Sequence, residues 1–409
     1  MTNSVRPLLS ISCLTVWLFW SFAAMSAGQE QMFEVSAGDR DYTAVPVIVE
    51  LTGELANAQA LELAEAESGD PVPVQRVPGE SRAAWIVRDL NAGQSRTYRL
   101  AARAAQAADE PRVTCCDDGE QLTINVDGAP VLTYHQATVP APEELDPVFA
   151  KSGYIHPLRT PSGQLVTDDF PPDHPHQHGF FFAWVNTTFQ GRRVDFWNQA
   201  RRQGSVEHLE TLQTVSGPVF GQFQVLLRHS DLTAPNGPAP VLEESWTLRV
   251  YAIESPFLFD LRSEQRLVAD SPLTVNEYHY GGMGVRGARS WFRHPENDFL
   301  TNLGKTREDG NHSRAHWVIS HGPGDEGPAA VISMGHPENL RAPQPVRLHP
   351  VIPYFCFAPM VLGPFEIGAD EPFFSRYRFA THDGPPDAEL AETLWQDYVQ
   401  PPAVHAVQP

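Results

Sequence analysis

The segment from Tyr154 to Trp184, YIHPLRTPSGQLVTDDFPPDHPHQHGFFFAW, holds the densest set of chemistry-bearing side chains in the sequence. His156, His174, His176 and His178 stand there beside Asp168, Asp169 and Asp173. Alternate residues of an extended backbone face one side, so the spacing predicts that His174, His176 and His178 converge on one point. Three neutral imidazoles can hold a divalent metal ion and leave a position open for water or substrate. The same imidazoles can instead donate to sugar hydroxyls or act on them as general acid and base. The plainer alternative is a proline-stiffened loop whose histidines bond to backbone carbonyls.

Aromatic residues follow at once. Most of Phe180, Phe181, Phe182, Phe189 and Phe196 read as core, whereas Trp184 and Trp197 are the candidates for a cleft wall that stacks on a sugar ring. Arg192 and Arg193 could bind a carboxylate but read better as a solvated strand end. A second group lies in Asn276–Gly287, NEYHYGGMGVRG. It contains a literal GxGxxG from Gly282 to Gly287, but no helical pattern follows it, so a dinucleotide fold is not expected. The glycines fit a close backbone approach. Glu277, His279, Arg286 and Arg289 would then supply acid, base and anion-binding groups on the far side of one cleft. The predicted catalytic residues are His174, His176, His178 and His279. The predicted substrate-binding residues are His156, Trp184, Trp197, Glu277, Arg286 and Arg289. No GxSxG elbow, HExxH or phosphate loop is present.

The elements that must position these residues read as almost all-β. The chain has 409 residues with Pro 37 and Gly 29, which favours many turns and strands over long helices. Short runs such as Val45-Pro-Val-Ile-Val49, Ala83–Val87 and Ser95–Leu100 suggest a small β-sandwich over residues 31–103, with Pro46 marking a sheet edge. Ala101 to Pro111, AARAAQAADEP, reads as a small-residue linker, with the boundary placed at 104–112. From residue 113 to 402 the pattern predicts a large antiparallel sandwich. Gln121–Val126 and Pro130–Tyr134 around Asp127-Gly128 form a predicted hairpin. Only Asp387 to Val399 has helical spacing.

Residues 1–27 have the form of a secretory signal peptide, with Arg6, an apolar stretch and a small-residue end. A retained anchor is the rival reading. The mature protein is expected to be exported, periplasmic or extracellular, with no membrane association after cleavage. Cys115, Cys116 and Cys356 do not suggest a disulfide framework, although one long-range bridge to Cys356 is open. The net charge of −21 argues against a nucleic-acid partner. Lys151 and Lys305 are the only lysines, so any anionic ligand must be held by arginine or histidine.

YIHPL, TPSG, DFPPDHPHQHG, FFFAW and YHYGGMGVRG together resemble the PmoA-like family of secreted bacterial proteins of unknown function, over roughly residues 113 to 382. The family's His-His-Arg-Gly stands here as His176-Gln177-His178-Gly179, so one histidine and one arginine of the pattern are altered. The resemblance implies a β-supersandwich similar to that of aldose epimerases and some polysaccharide lyases. His178-Gly179 is loosely similar to the His-Gly motif of sugar epimerases, whose partner glutamate has no clear counterpart here. The expectation is a carbohydrate-active protein working by epimerisation, elimination or hydrolysis in a His-rich cleft. The alternatives are a non-catalytic glycan-binding protein and a metal-dependent enzyme.

Overall fold

The computed structural model describes Met1 and residues 30–103 and 110–408. The signal-peptide segment and most of the linker lie outside the described residues. The fold is an all-β sandwich with one α-helix among the described residues. Two antiparallel eight-stranded sheets form the body. The longer one runs Gly204–Val215, Phe220–Asp231, Ala239–Tyr251, Phe257–Leu267, Phe373–Asp383, Gly327–Gly335, Trp317–Gly324, Asp298–Thr301. The second runs Val346–Leu348, Tyr354–Phe357, Gly282–Arg286, Phe180–Ala183, Tyr154–Leu158, Ala129–His135, Gln121–Val126, Val113–Asp117. Their facing sides share one core in which Phe180 meets Phe379 edge-on at 4.8 Å and Tyr134 meets Phe223 at 5.2 Å.

Local chemistry explains the elements. The predicted hairpin closes on Asp127 and Gly128 with φ of 48° and 83°, the paired positive values of a type I′ turn. Ala388–Val399 starts where the Asp387 carboxylate accepts the Leu390 N–H at 2.9 Å. Pro46 sits in Tyr42–Glu50, which is indeed an edge strand, because its outward side has no ladder to lose. The three cysteines are free thiols, so the long-range bridge to Cys356 does not form.

Residues 30–103 form a five-stranded and a three-stranded sheet around their own core, with Trp85 between Phe33 and Tyr98. The five-stranded sheet is completed from the far end of the chain, because Ala403–Val407 pairs antiparallel with Glu30–Ser36. The sequence reading did not anticipate that strand. This unit and the helix cover part of the outer face of the longer sheet. Arg40 ties the two by donating to Asp397 at 2.8 Å. Burial pushes the Asp397 carboxyl up to about 6 despite Arg40. A raised folded-state value makes the stabilising contribution full below about pH 3.8 and lost as pH rises through about 6. Unfolding measured from pH 4 to 7 should therefore show the stability of the parent falling by about 2–3 kcal/mol relative to Asp397→Asn. A constant difference across that range would contradict this.

Candidate functional site

Prolines shape the histidine segment. Pro171, Pro172 and Pro175 have no N–H to give a ladder. The chain instead makes two successive turns, with His174 N–H donating to Pro171 O at 3.0 Å and Gln177 N–H to His174 O at 2.9 Å. The three histidines therefore do not share one face, contrary to the alternation argument. Among the described residues no group of three or more His, Cys, Asp or Glu side chains is arranged to hold a metal ion.

His178 turns inward and is fully buried. Its Nδ1 donates to Asp169 Oδ1 at 2.6 Å, and Tyr154 Oη donates to Asp169 Oδ2 at 2.7 Å. Gln199 Nε2 donates to the Val148 and Ala150 carbonyls, which leaves its Oε1 facing His178 Nε2 at 3.3 Å. Burial opposes ionisation of Asp169, but the bonds from His178 and Tyr154 outweigh it and hold the carboxyl below its ordinary value. This group braces the loop from inside. Gly179 follows with φ of 47°, and a Cβ there would lie 2.0 Å from the Ile155 carbonyl oxygen. Gly179→Ala should cost more than about 3 kcal/mol, read as a lowered denaturation midpoint, because backbone must move. A midpoint within error of the parent would show that the loop adapts freely.

His174 turns outward. Its side chain is 35% exposed, and Nδ1 donates to Asp173 Oδ2 at 2.8 Å. In the neutral ring the lone pair then sits on Nε2. Asp173 is in turn held by a bidentate pair from Arg286, at 3.0 and 2.9 Å. Burial works against its ionisation, yet the bonds from Arg286 and His174 win and keep the carboxyl below the usual range. Next to His174 stand His176 and His349, with ring centroids 5.6 and 5.9 Å away. Burial first, then neighbouring histidines and arginines, pushes His176 down to about 3 and His349 down to about 4. Both are neutral imidazoles at ordinary pH. His349 Nδ1 accepts the Val351 and Ile352 N–H groups at 3.1 and 3.2 Å, so its proton is on Nε2. Arg307 pins that turn by donating to the His349 and Ile352 carbonyls.

His174 thus offers a lone pair beside an imidazole, His349, that offers an N–H. Nothing in the sequence around His349 signalled it, because it arrives through pairing of Val346–Leu348 with Tyr354–Phe357. His176 lines a small cavity of about 60 Å³ with Trp197, Gln199 and Lys151. Burial lowers the Lys151 ammonium to about 8.

The other predicted residues are distributed unevenly. Arg286 is fully buried and cannot receive a ligand anion, since its guanidinium is spent on Asp173 and Gln177. Trp184 is not a cleft wall: it is fully buried, with Nε1 donating to Gln265 and its ring among Phe365 and Phe373. Trp197 is also core, seated on Gly284, where a Cβ would come within 2.8 Å of the indole. That close approach accounts for a glycine of the GxGxxG string, whose Gly282–Arg286 is a buried strand followed by the single 3-10 turn Arg289–Trp291 and not by an α-helix.

His279 is exposed, and partial burial first, then the charges of Arg347 and His312, lower its imidazole. Its carbonyl oxygen lies 3.0 Å from His312 Nε2, and its ring packs against Tyr278 and Tyr280. Glu277 is exposed, and its carbonyl oxygen accepts from Asn186 Nδ2. His156 lies apart: its Nδ1 pairs with Thr167 Oγ1 at 3.0 Å, and burial lowers it to about 4. Arg289 bonds Asp168 Oδ1 at 2.9 Å and lines a separate open cleft of about 420 Å³ with Asp169 and Glu144.

Residues 121–396 match the model of a family of unknown function (DUF6807). The chain belongs to that family. No curated protein matches it. In this DUF6807 chain the matched span contains His174, His176, His349 and every residue that braces them, whereas the sheets of residues 30–103 precede it.

Proposed function

We propose that this DUF6807 protein is exported and performs acid/base chemistry on a sugar at the His174–His349 site. The observation that carries the reading is the complementary protonation of two neighbouring rings. His174 Nε2 has the free lone pair of a general base, and Asp173, fixed by Arg286, stabilises the imidazolium formed when it takes a proton. His349 presents Nε2–H, the donor needed by a sugar oxygen that gains negative charge. Half-exposed polar groups, rather than an apolar pocket, suit a polyhydroxylated substrate. The motifs that resemble PmoA-like proteins run through the same loop, and the leader-like residues 1–27 motivate export.

The test is turnover on a panel of mono- and oligosaccharides, followed by NMR for anomer exchange, epimers, unsaturated products and cleavage. Parent protein should convert at least one sugar, and His174→Ala with His349→Ala should abolish that conversion. Conversion that survives both changes would remove this site from the chemistry. Saturable binding with no conversion across the panel would favour a glycan-binding protein instead.

A further inference from the structure

A second groove, which shares no lining residue with the histidine site, lies where the N-terminal β-unit overhangs the outer face of the longer sheet. It encloses about 380 Å³, within the range of small-ligand sites. Strand alternation builds its floor. Gln222, Arg249 and Asp260 stand in register on adjacent strands, and Gln224, Thr247 and Arg262 form the next row. Ser245 and Gln213 extend the same polar surface. Ile48, Val77 and Pro78 of the N-terminal unit supply an apolar wall.

The floor donors are held in place before any ligand arrives. Arg249 lies over Phe220 at 4.2 Å and gives Nε and Nη2 to Gln222 Oε1 at 2.9 and 2.6 Å. Among the described residues no carboxylate pairs with it, and its Nη1 is left with no bond to the groove floor. Arg262 lies over Phe374 at 4.7 Å. Flat guanidinium groups stacked on rings are rigid donors with little entropy left to lose. Charges nearly cancel, with Arg82, Arg249, Arg262 and Arg376 against Glu80, Asp260 and Glu264. A strongly charged ligand would meet repulsion from one set or the other. Amides, hydroxyls, fixed guanidinium groups and one apolar wall fit a neutral ligand that has many hydroxyls and C–H faces.

We infer that the groove between the N-terminal unit and the longer sheet binds a neutral oligosaccharide, through Gln224, Thr247 and Arg249, independently of the histidine site. It would hold a chain while the histidine site acts, but binding here does not depend on that chemistry.

Calorimetry with cellohexaose, xylohexaose and mannohexaose tests the inference on the full chain. At least one hexasaccharide should bind the parent. Arg249→Ala and the groove-filling Thr247→Trp should each weaken it tenfold or more, while His174→Ala leaves it unchanged. Circular dichroism and the unfolding midpoint confirm that each variant is folded, and either variant alone suffices. No binding by the parent overturns the inference. So does binding that both groove variants leave intact, or binding lost only in His174→Ala, which would put the sugar at the histidines.

Discussion

Replacing Arg286 by methionine is expected to lower the unfolding free energy by about 3–5 kcal/mol, the cost of stranding one member of a buried ion pair. Arg286 has no exposed surface and gives Asp173 two hydrogen bonds and Gln177 a third. Without it, the Asp173 carboxylate keeps His174 as its side-chain partner, and the buried Asp168, 3.9 Å from the same guanidinium, keeps Arg289 alone among the two arginines. Asp168 is already held above the ordinary carboxylate range by burial, with Arg289 and Arg286 opposing that rise. The variant should therefore also bind protons that the parent does not, and its deficit should shrink as pH falls toward 4. Urea unfolding at pH 7 and pH 4.5 reads both effects. A variant as stable as the parent at pH 7 would show that Asp173 is solvated well enough to stand alone.

His174→Ala should reduce sugar conversion by about 10²–10⁴-fold, the usual worth of a positioned general base. Asp173→Asn should cost less, because the ring remains while its orientation and the stabilisation of its charged form are lost. Its unfolding midpoint must be read beside its kcat, since Asn offers Arg286 and His174 one acceptor oxygen in place of two. The low values of His349 and His176 add a pH signature. Each is neutral above about pH 5, and the advantage that a depressed value gives the folded state is complete above about 6.5 and lost as pH falls toward 4 or 3. Protonating His349 Nδ1 would break its bonds from Val351 and Ile352, so activity and the local turn should fail together. A kcat that is flat from pH 7 down to 3.5 would contradict the assigned tautomer.

Local signals in the sequence carried a large part of the architecture. Asp127-Gly128 announced its hairpin because few other residue pairs take two positive φ values in succession. The helical spacing of residues 387–399 announced the helix, and the structure adds the Asp387 carboxylate that caps its first turn. Ala403–Val407 was missed because its five residues have no core of their own, and only pairing with Glu30–Ser36 makes them a strand. The histidine loop was located by composition but misread in shape. A period of two holds only where the backbone can form a ladder, and three prolines prevented that. His349 was invisible for a different reason. Its role depends on a contact with His174 across 175 residues of chain, set by sheet order rather than by spacing. Trp184 was placed on the wrong side because alternation gives a side of the sheet but does not say that both sides are covered.

A crystal structure of the protein soaked with a sugar that it converts tests the histidine site most directly. The predicted result is a sugar ring within hydrogen-bond reach of both His174 Nε2 and His349 Nε2, with Asp173 still bridging His174 and Arg286. A converted sugar found only away from these two histidines would contradict it.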